Sequence, residues 1–430
     1  MISKAYKFRI YPNKRESEII DNNLRINNFI YNYFLGIEID TVDILKSYGL
    51  NNGKEKDEKY LNDWRTKHDL WFDDYKSYKI VGKMKKELKF DFLNYYPSSA
   101  IGYSLKSLKI AFLNINKTGA GFPKFKNKNS KNSYKSQIVN NTIPKFKLQK
   151  GKRYSTQISS PLNSPLKKVN IVLHNEHFLN NYSEMKFNSF TISKNKSGQY
   201  FISYQVMENV NVPKQKPIIE STSIGIDLGV IHPITISDDK FDNDLFSDRI
   251  EVFKKNSIEL KKLQRILSKK RLENNKYKES KKYLRIKNKI NKLHNKISNQ
   301  RSWIQNNITK KLVDIESVDT FVLEELNIKG MTKKTGKGKS NNKSGLNRVM
   351  LDVGISEIIN QLEYKSAWSG KNVVTINPMF TSQRCNSCGY INKENRKTQE
   401  TFKCLSCGHT DNADKNASKN IKDKFFNKNY

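Results

Sequence analysis

Alternation opens the chain. Over residues 4 to 11, Tyr6, Phe8 and Ile10 fall on one side of an extended segment and Lys7 and Arg9 on the other, the two-residue period of a half-buried strand. Pro12 has no amide to donate and ends it. From Lys14 to about Leu35 the period lengthens, and Ile20, Leu24, Tyr31 and Leu35 share a helical face. Residues 38 to 95 are mixed and charge-rich and read as helices with loose connections. After the Tyr-Pro at 96 and 97, Ile101, Leu105, Leu108 and Phe112 mark another helix. Alternation returns from about 142 to 207, clearest in FTISKNKSGQYFISYQV, where Asn195 to Gly198 form a hairpin turn. A strand, then helices, then strands predict a small β-barrel with a helical insertion between its first and second strands.

The second half begins with SIGIDLGVIHPITISD, two short apolar runs hinged by Gly229 and Pro233. Two long helical patterns follow. Phe253, Leu260, Leu263 and Leu267 mark the first; Ile286, Ile290, Leu293, Ile297, Ile304, Ile308 and Leu312 mark the second, so an antiparallel helical hairpin is expected. A buried strand, Thr320 to Leu323, runs into Glu324. After a Gly-, Lys- and Asn-rich loop come a helix marked by Leu351, Ile355, Ile358 and Leu362 and a strand near Asn372 to Asn377. The fold class is therefore α/β and multidomain.

Charge changes the picture. Of 430 residues, 79 are Lys or Arg and 42 Asp or Glu, a formal net charge of +37. Such a surface repels itself unless a polyanion neutralises it, which points to nucleic acid. No run approaches the ~18 apolar residues of a membrane span, and no secretory signal is recognised, so a cytoplasmic protein, nucleoid-associated when bound to DNA, is expected. Residues 116 to 136 interleave Phe122, Phe125 and Tyr134 with lysines that include Lys124 and Lys126. Such a loop can hold a phosphate backbone while offering rings to unpaired bases; a solvated basic connection is its plain alternative. With Lys7, Arg9 and Arg301, these are the candidate nucleic-acid contacts.

All four cysteines fall between residues 385 and 407. Cys385-x2-Cys388 and Cys404-x2-Cys407 form two knuckles of the kind that bring four thiolates to one tetrahedral Zn²⁺. Gly389 and Gly408 follow the knuckles, where a residue without Cβ lets the backbone turn its amides toward sulfur. A closed four-cysteine site is structural, and His409 reads as a surface residue. Asp227 and Glu324 end buried runs, and acids at the ends of neighbouring strands can hold the two Mg²⁺ of a phosphoryl-transfer site. Glu325 competes with Glu324, but alternation sends the two to opposite faces. Asp414 is a third acid, on a helix for which Asp411 is the expected N-cap.

IGIDLG, FVLEEL, the SQRC-NSCG and CLSCG knuckles and NADKNASKNI resemble, in that order, the split RuvC motifs and zinc ribbon of the TnpB family. These are transposon-associated RNA-guided DNA endonucleases related to compact type V CRISPR effectors. AYKFRIYPNK, FIYNYFL, GFPKFK and QLEYKSAWSG extend the resemblance over most of the chain. It implies an RNase H-like (RuvC) nuclease domain, 223–380 and 413–430, with Asp227, Glu324 and Asp414 as ligands of two Mg²⁺ or Mn²⁺ ions. A zinc ribbon, 381–412, is inserted in it. A linker, 213–222, precedes it, and before that a β-barrel, 1–13 and 116–212, is interrupted by a helical recognition domain, 14–115. Guide RNA and target DNA are the implied partners. One departure stands after Arg301, where Trp303, Ile304, Gln305 and Asn306 replace an Asp-Phe-x-His stretch common in relatives.

Three rivals make distinct demands. GIDLG also resembles the first phosphate loop of actin-like ATPases, which need a second glycine-rich loop, and the candidate at 351–356 has only Gly354; no use of ATP is expected. TGKGKS misses the P-loop pattern because Lys333 sits where its first glycine belongs. A non-catalytic zinc-ribbon DNA-binding regulator has no use for three acids, and a compact type V CRISPR effector shares every motif. Oligomeric state is not legible.

Overall fold

The computed structural model describes residues 2–47, 74–118, 121–127, 130, 132–138, 143–149, 153–157, 166, 168–229, 232–241, 250–273, 280–327, 330–331, 353–396, 398 and 400–426. It divides into two compact units, Met1–Val210 and Asn211–Tyr430.

In the first unit, β1 (Ile2–Tyr11) is followed by α1 (Lys14–Ser47), α2 (Asp74–Met84) and α3 (Ser98–Thr118). Then come β2 (Asn132–Gln137), β3 (Phe146–Leu148), β4 (Arg153–Gln157), β5 (Lys168–Val172), a short α4 (Glu176–Asn181), β6 (Lys186–Lys194) and β7 (Tyr200–Glu208). The helices thus enter between the first two strands in sequence, as the change of period predicts. All seven strands form one antiparallel sheet, ordered β2-β6-β7-β1-β5-β4-β3. β1 sits centrally, with Phe8 and Ile10 buried and Lys7 and Arg9 exposed. Among the described residues the edge strands β2 and β3 do not pair, so the expected barrel is seen as a seven-stranded sheet. Asn195 Oδ1 accepts the amides of Ser197 and Gln199, which builds the predicted β6–β7 turn.

The second unit carries a sheet ordered β11-β10-β8-β9, from β8 (Ser223–Asp227), β9 (Thr235–Ile236), β10 (Thr320–Glu324) and β11 (Asn372–Ile376). β8, β10 and β11 are parallel and β9 folds back on β8. Parallel strands need long crossovers. Between β9 and β10 lie α5 (Ile250–Glu273) and α6 (Lys281–Val313), the two long helices expected, and between β10 and β11 lies α7 (Ile355–Trp368). After β12 (Thr401–Lys403) and β13 (Thr410–Asn412), α8 (Ala413–Phe425) packs on β8. It comes so close that a Cβ on Gly225 would lie 2.0 Å from the Ser418 carbonyl oxygen, so only glycine lets α8 sit there.

Residues 213–222, the expected linker, are hydrogen-bonded within the second unit: the Lys216 amide donates to the Gly370 carbonyl, its Nζ lies 2.6 Å from Asp319 Oδ1, and the Asp319 amide donates to the Thr222 carbonyl. The residues after Arg301 serve packing. Gln305 is buried on α6 and its Nε2 donates to the Val353 carbonyl at 2.8 Å, which ties α6 to the start of α7. Much of the Gly-, Lys- and Asn-rich loop after Asn327, and Leu351, lie outside the described residues.

Candidate active site and metal centre

β8 and β10 are each buried for four residues and emerge at their last, Asp227 and Glu324. Their parallel register pairs Val322 with Gly225, and continuing it by two residues sets Glu324 beside Asp227. The carboxyl ends of parallel strands in an open α/β sheet are where such folds place ligands. Asp414 comes from the first turn of α8, and its Oδ2 lies 3.9 Å from where a Cβ on Gly229 would stand, in the loop after β8. The three predicted acids therefore come together from separate segments. Glu325 is exposed, as alternation requires.

Burial raises Asp227 to about 7, and the charges of Glu324 and Asp414 add to the rise. Burial also raises Glu324, against the pull of Thr381, Lys424 and Arg396. Two partners that the sequence did not single out hold the acids. Thr381 Oγ1 donates to Glu324 Oε1, and Arg396 Nη2 lies 2.7 Å from Asp414 Oδ1. Arg396 sits between the cysteine knuckles with no periodic pattern around it, so nothing local marks it. A further correction concerns the cap of α8: Asn412 Oδ1 accepts the amides of Asp414 and Lys415, while Asp411 lies in β13 and meets Lys419 Nζ at 3.1 Å.

The four thiol sulfurs lie within 4.8 Å of one another, and among the described residues they are the only such group of three or more potential metal ligands. Cys385 Sγ is 3.7 Å from Cys407 Sγ, and Cys388 Sγ 3.5 Å from Cys404 Sγ. A tetrahedron with ~2.3 Å metal–sulfur bonds has edges of about 3.8 Å, so the donor set fits one four-coordinate ion. Gly389 and Gly408 adopt φ of +79° and +75°; their own amides donate to the Cys385 and Cys404 carbonyls, and it is the Cys407 amide that donates to Cys404 Sγ. Burial pushes Cys385 up to about 12; against its burial, the amides of Cys407 and Ser406 draw Cys404 down to about 7. His409 approaches Asp411 at 4.0 Å, outside the sulfur cluster.

The ribbon is stitched to the helix that carries Asp414. Asn416 and Asn420, both buried on α8, donate to the Arg384 carbonyl at 2.8 and 2.7 Å. Asn420 also donates to the Thr381 carbonyl, and the Asn386 amide donates to Asn416 Oδ1.

In the first unit, Lys7 Nζ lies 4.7 Å over the Phe201 ring, and the Arg9 guanidinium 4.8 Å over Tyr11. Phe122, Lys124 and Phe125 are exposed. The Lys126 backbone is clasped by the Asn32 side-chain amide and its Nζ stands 3.9 Å over Tyr31, where burial lowers it to about 8. Lys126 lines a cavity of about 380 Å³ together with Lys106 and Lys135. Tyr134 is not available for stacking: it is buried, and its hydroxyl accepts from Asn23 Nδ2. Its alternation with lysines marks the inner face of β2. Arg301 is half-buried on α6.

Three family descriptions match: Cas12f1-like, TNB domain, over 356–421; probable transposase, over 202–335; and helix-turn-helix domain, over 1–43, a stretch that folds here as β1 and a single helix. A putative RNA-guided DNA endonuclease InsQ of Escherichia coli is 30% identical over 332 residues, 76% of this chain and 74% of that protein. A CRISPR-associated endodeoxyribonuclease Cas12f1 of Sulfoacidibacillus thermotolerans is 32% identical over 136 residues, 31% of this chain and 29% of that protein. A solved Cas12f1–sgRNA–target DNA complex aligns over 98% of both chains at 16% identity, with a TM-score of 0.47. The chain belongs to the TnpB family, related to the Cas12f nucleases.

Proposed function

We propose that Asp227, Glu324 and Asp414 form the RuvC-like, RNase H-type phosphodiester-hydrolysing site of an RNA-guided DNA endonuclease. The observation that carries this is three carboxylates gathered around the carboxyl ends of β8 and β10, Asp227 and Glu324 from the strands and Asp414 from α8, with Asp227 raised to about 7 by burial and by the charges of the other two. Such a cluster is costly for a protein with no cation to bind there. All its donors are hard oxygens, which suit two Mg²⁺ or Mn²⁺ ions. When bound, those ions supply an activated water and charge for the leaving oxygen. The chain's own part is to hold the ligands: Thr381 orients Glu324, and Arg396 orients Asp414 and offers a cation where a phosphate must approach.

The four cysteines hold one structural Zn²⁺ in this reading, and the first unit, with its interrupted sheet and exposed lysines, holds the guide RNA and its hybrid with target DNA. The likeness to InsQ spans three quarters of both chains and that to Cas12f1 under a third, which favours a transposon-type nuclease over a CRISPR effector. The test is cleavage of a plasmid bearing the guide-matched sequence by protein carrying its co-purified RNA. Asp227→Ala, Glu324→Gln and Asp414→Ala are each expected to lower the rate by at least a thousandfold while RNA binding stays within threefold, roughly the loss of one metal ligand. Normal cutting by any of them removes that residue from the site.

A further inference from the structure

The loop joining β11 to the first knuckle, Asn377 to Gln383, is built against the usual rules of folding. Phe380 has φ of +68°, the one positive value outside glycine among the described residues. A bulky side chain rarely adopts that region, and such strain concentrates at working sites. The surroundings impose it. The Phe380 carbonyl accepts the amides of Gln383 and Arg384, the Met379 amide donates to Asn377 Oδ1, and Lys424 Nζ donates to the Met379 carbonyl. Thr381 Oγ1 donates to the Pro378 carbonyl as well as to Glu324. The polar groups named here are taken up in hydrogen bonds within the protein, while Met379 and Phe380 are 56% and 45% exposed. Burial would stabilise both. A strained backbone that presents two apolar side chains to solvent stands one residue from the hydroxyl that holds Glu324.

We propose that Phe380, flanked by Met379, is a positioning residue that stacks on a nucleobase of the DNA strand being cut, next to the phosphodiester offered to Asp227, Glu324 and Asp414. The proposal rests on the nuclease reading of those acids and deepens it. Three carboxylates repel a polyanionic strand until cations intervene, so a surface that grips the strand by its bases, without charge, supplies what the acids cannot. Every base has a π-face, so such a grip tolerates any target sequence, as a guided nuclease requires.

The experiment uses the ribonucleoprotein with its co-purified RNA and matched DNA. Phe380→Gly and Phe380→Asn both accept a positive φ but lack the ring, so they are expected to melt no lower than wild type. Their cleavage at subsaturating DNA should fall roughly ten- to a hundredfold, the scale of one lost base stack, with most of the loss in KM. Phe380→Tyr keeps the ring and should stay within threefold of wild type. A 2-aminopurine placed in the DNA strand beside the cut position should be quenched in wild type and in Asp227→Ala, and remain bright in Phe380→Gly. Wild-type cutting by Phe380→Gly, a Tyr variant as slow as the Gly variant, or quenching seen only with the probe in the guide RNA each overturns the proposal. Cleavage by Asp227→Ala instead defeats the acid assignment, and the quenching still reports separately on the ring.

Discussion

In the proposed nuclease site, Asp227 is the residue expected to carry the pH dependence. Its carboxyl must be ionised to bind a cation, yet burial and two neighbouring acids raise it to about 7. A raised carboxyl favours the metal-free fold below its ordinary value near 4, and that favour is lost as pH climbs through 7, so a divalent ion and a proton compete for one group. At limiting Mg²⁺ the cleavage rate is expected to rise about tenfold per pH unit up to about 7 and then level, and saturating Mg²⁺ should move the break to lower pH. A flat profile from pH 5.5 to 8 at limiting Mg²⁺ would contradict this. Legibility at this scale follows from what local pattern can encode. Asp227 and Glu324 are readable because each ends a continuous apolar run, and Glu325 is set aside by alternation alone. Arg396 and Thr381 are invisible because what makes them matter is a contact made across the fold. Tyr134 misleads for a related reason: aromatics spaced between lysines look the same whether the ring faces a base or a core. Asp411 and Asn412 both have cap chemistry, and only the backbone path out of β13 decides between them.

At the scale of elements, α8 carries Asp414, fills the surface over Gly225, and receives the ribbon through Asn416 and Asn420. Its helical period is legible, but its polar buried face is not, because four of its buried residues, Lys415, Asn416, Ser418 and Asn420, read as solvent-facing. Asn416 and Asn420 donate to main-chain carbonyls of Thr381 and Arg384, beside the first knuckle, while Lys415 pairs with Asp239 and Ser418 donates to the Lys415 carbonyl. If the four thiols hold an ion as proposed, metal binding and acid placement are joined through the two asparagines. Cys404→Ser, or removal of the ion with a thiol-competing chelator, is expected to loosen residues 381–412 and to lower cleavage at least tenfold, with no acid altered. Leaving Asn416 and Asn420 without partners costs about 1–3 kcal/mol for each buried group. Freshly purified protein should contain one zinc per chain by elemental analysis. Full cleavage by a zinc-free preparation would uncouple ribbon from site. The β1 strand and the helices after it were legible for the simpler reason that their period switches from two to three and four where the fold switches. The pairing of β1 between β5 and β7 was not, since register between distant strands leaves no local trace.

At the scale of the whole molecule, charge and catalysis pull apart. A net charge of +37 binds any duplex, with an affinity that falls steeply as salt rises. Three acids reach a phosphate only when a strand is separated and brought to them, and an intact duplex keeps its bases stacked away from a ring such as Phe380. In the proposed RNA-guided reading, strand opening comes from exchange of one duplex for another, with RNA–DNA pairing offsetting the DNA pairing that is lost. Binding without RNA should therefore be strong, nonspecific and unproductive. RNA-free protein is expected to retain salt-sensitive DNA binding and to cut a matched plasmid at least a hundredfold more slowly than protein carrying its co-purified RNA, while neither preparation cuts an unmatched plasmid efficiently. The two preparations should show similar binding at low salt, where counterion release dominates, and diverge as salt rises, because base pairing persists when phosphate contacts weaken. Equal, sequence-independent cutting by both would mean that the acids act on any strand that reaches them, and guidance by RNA would be lost from the account while the metal-dependent site stood.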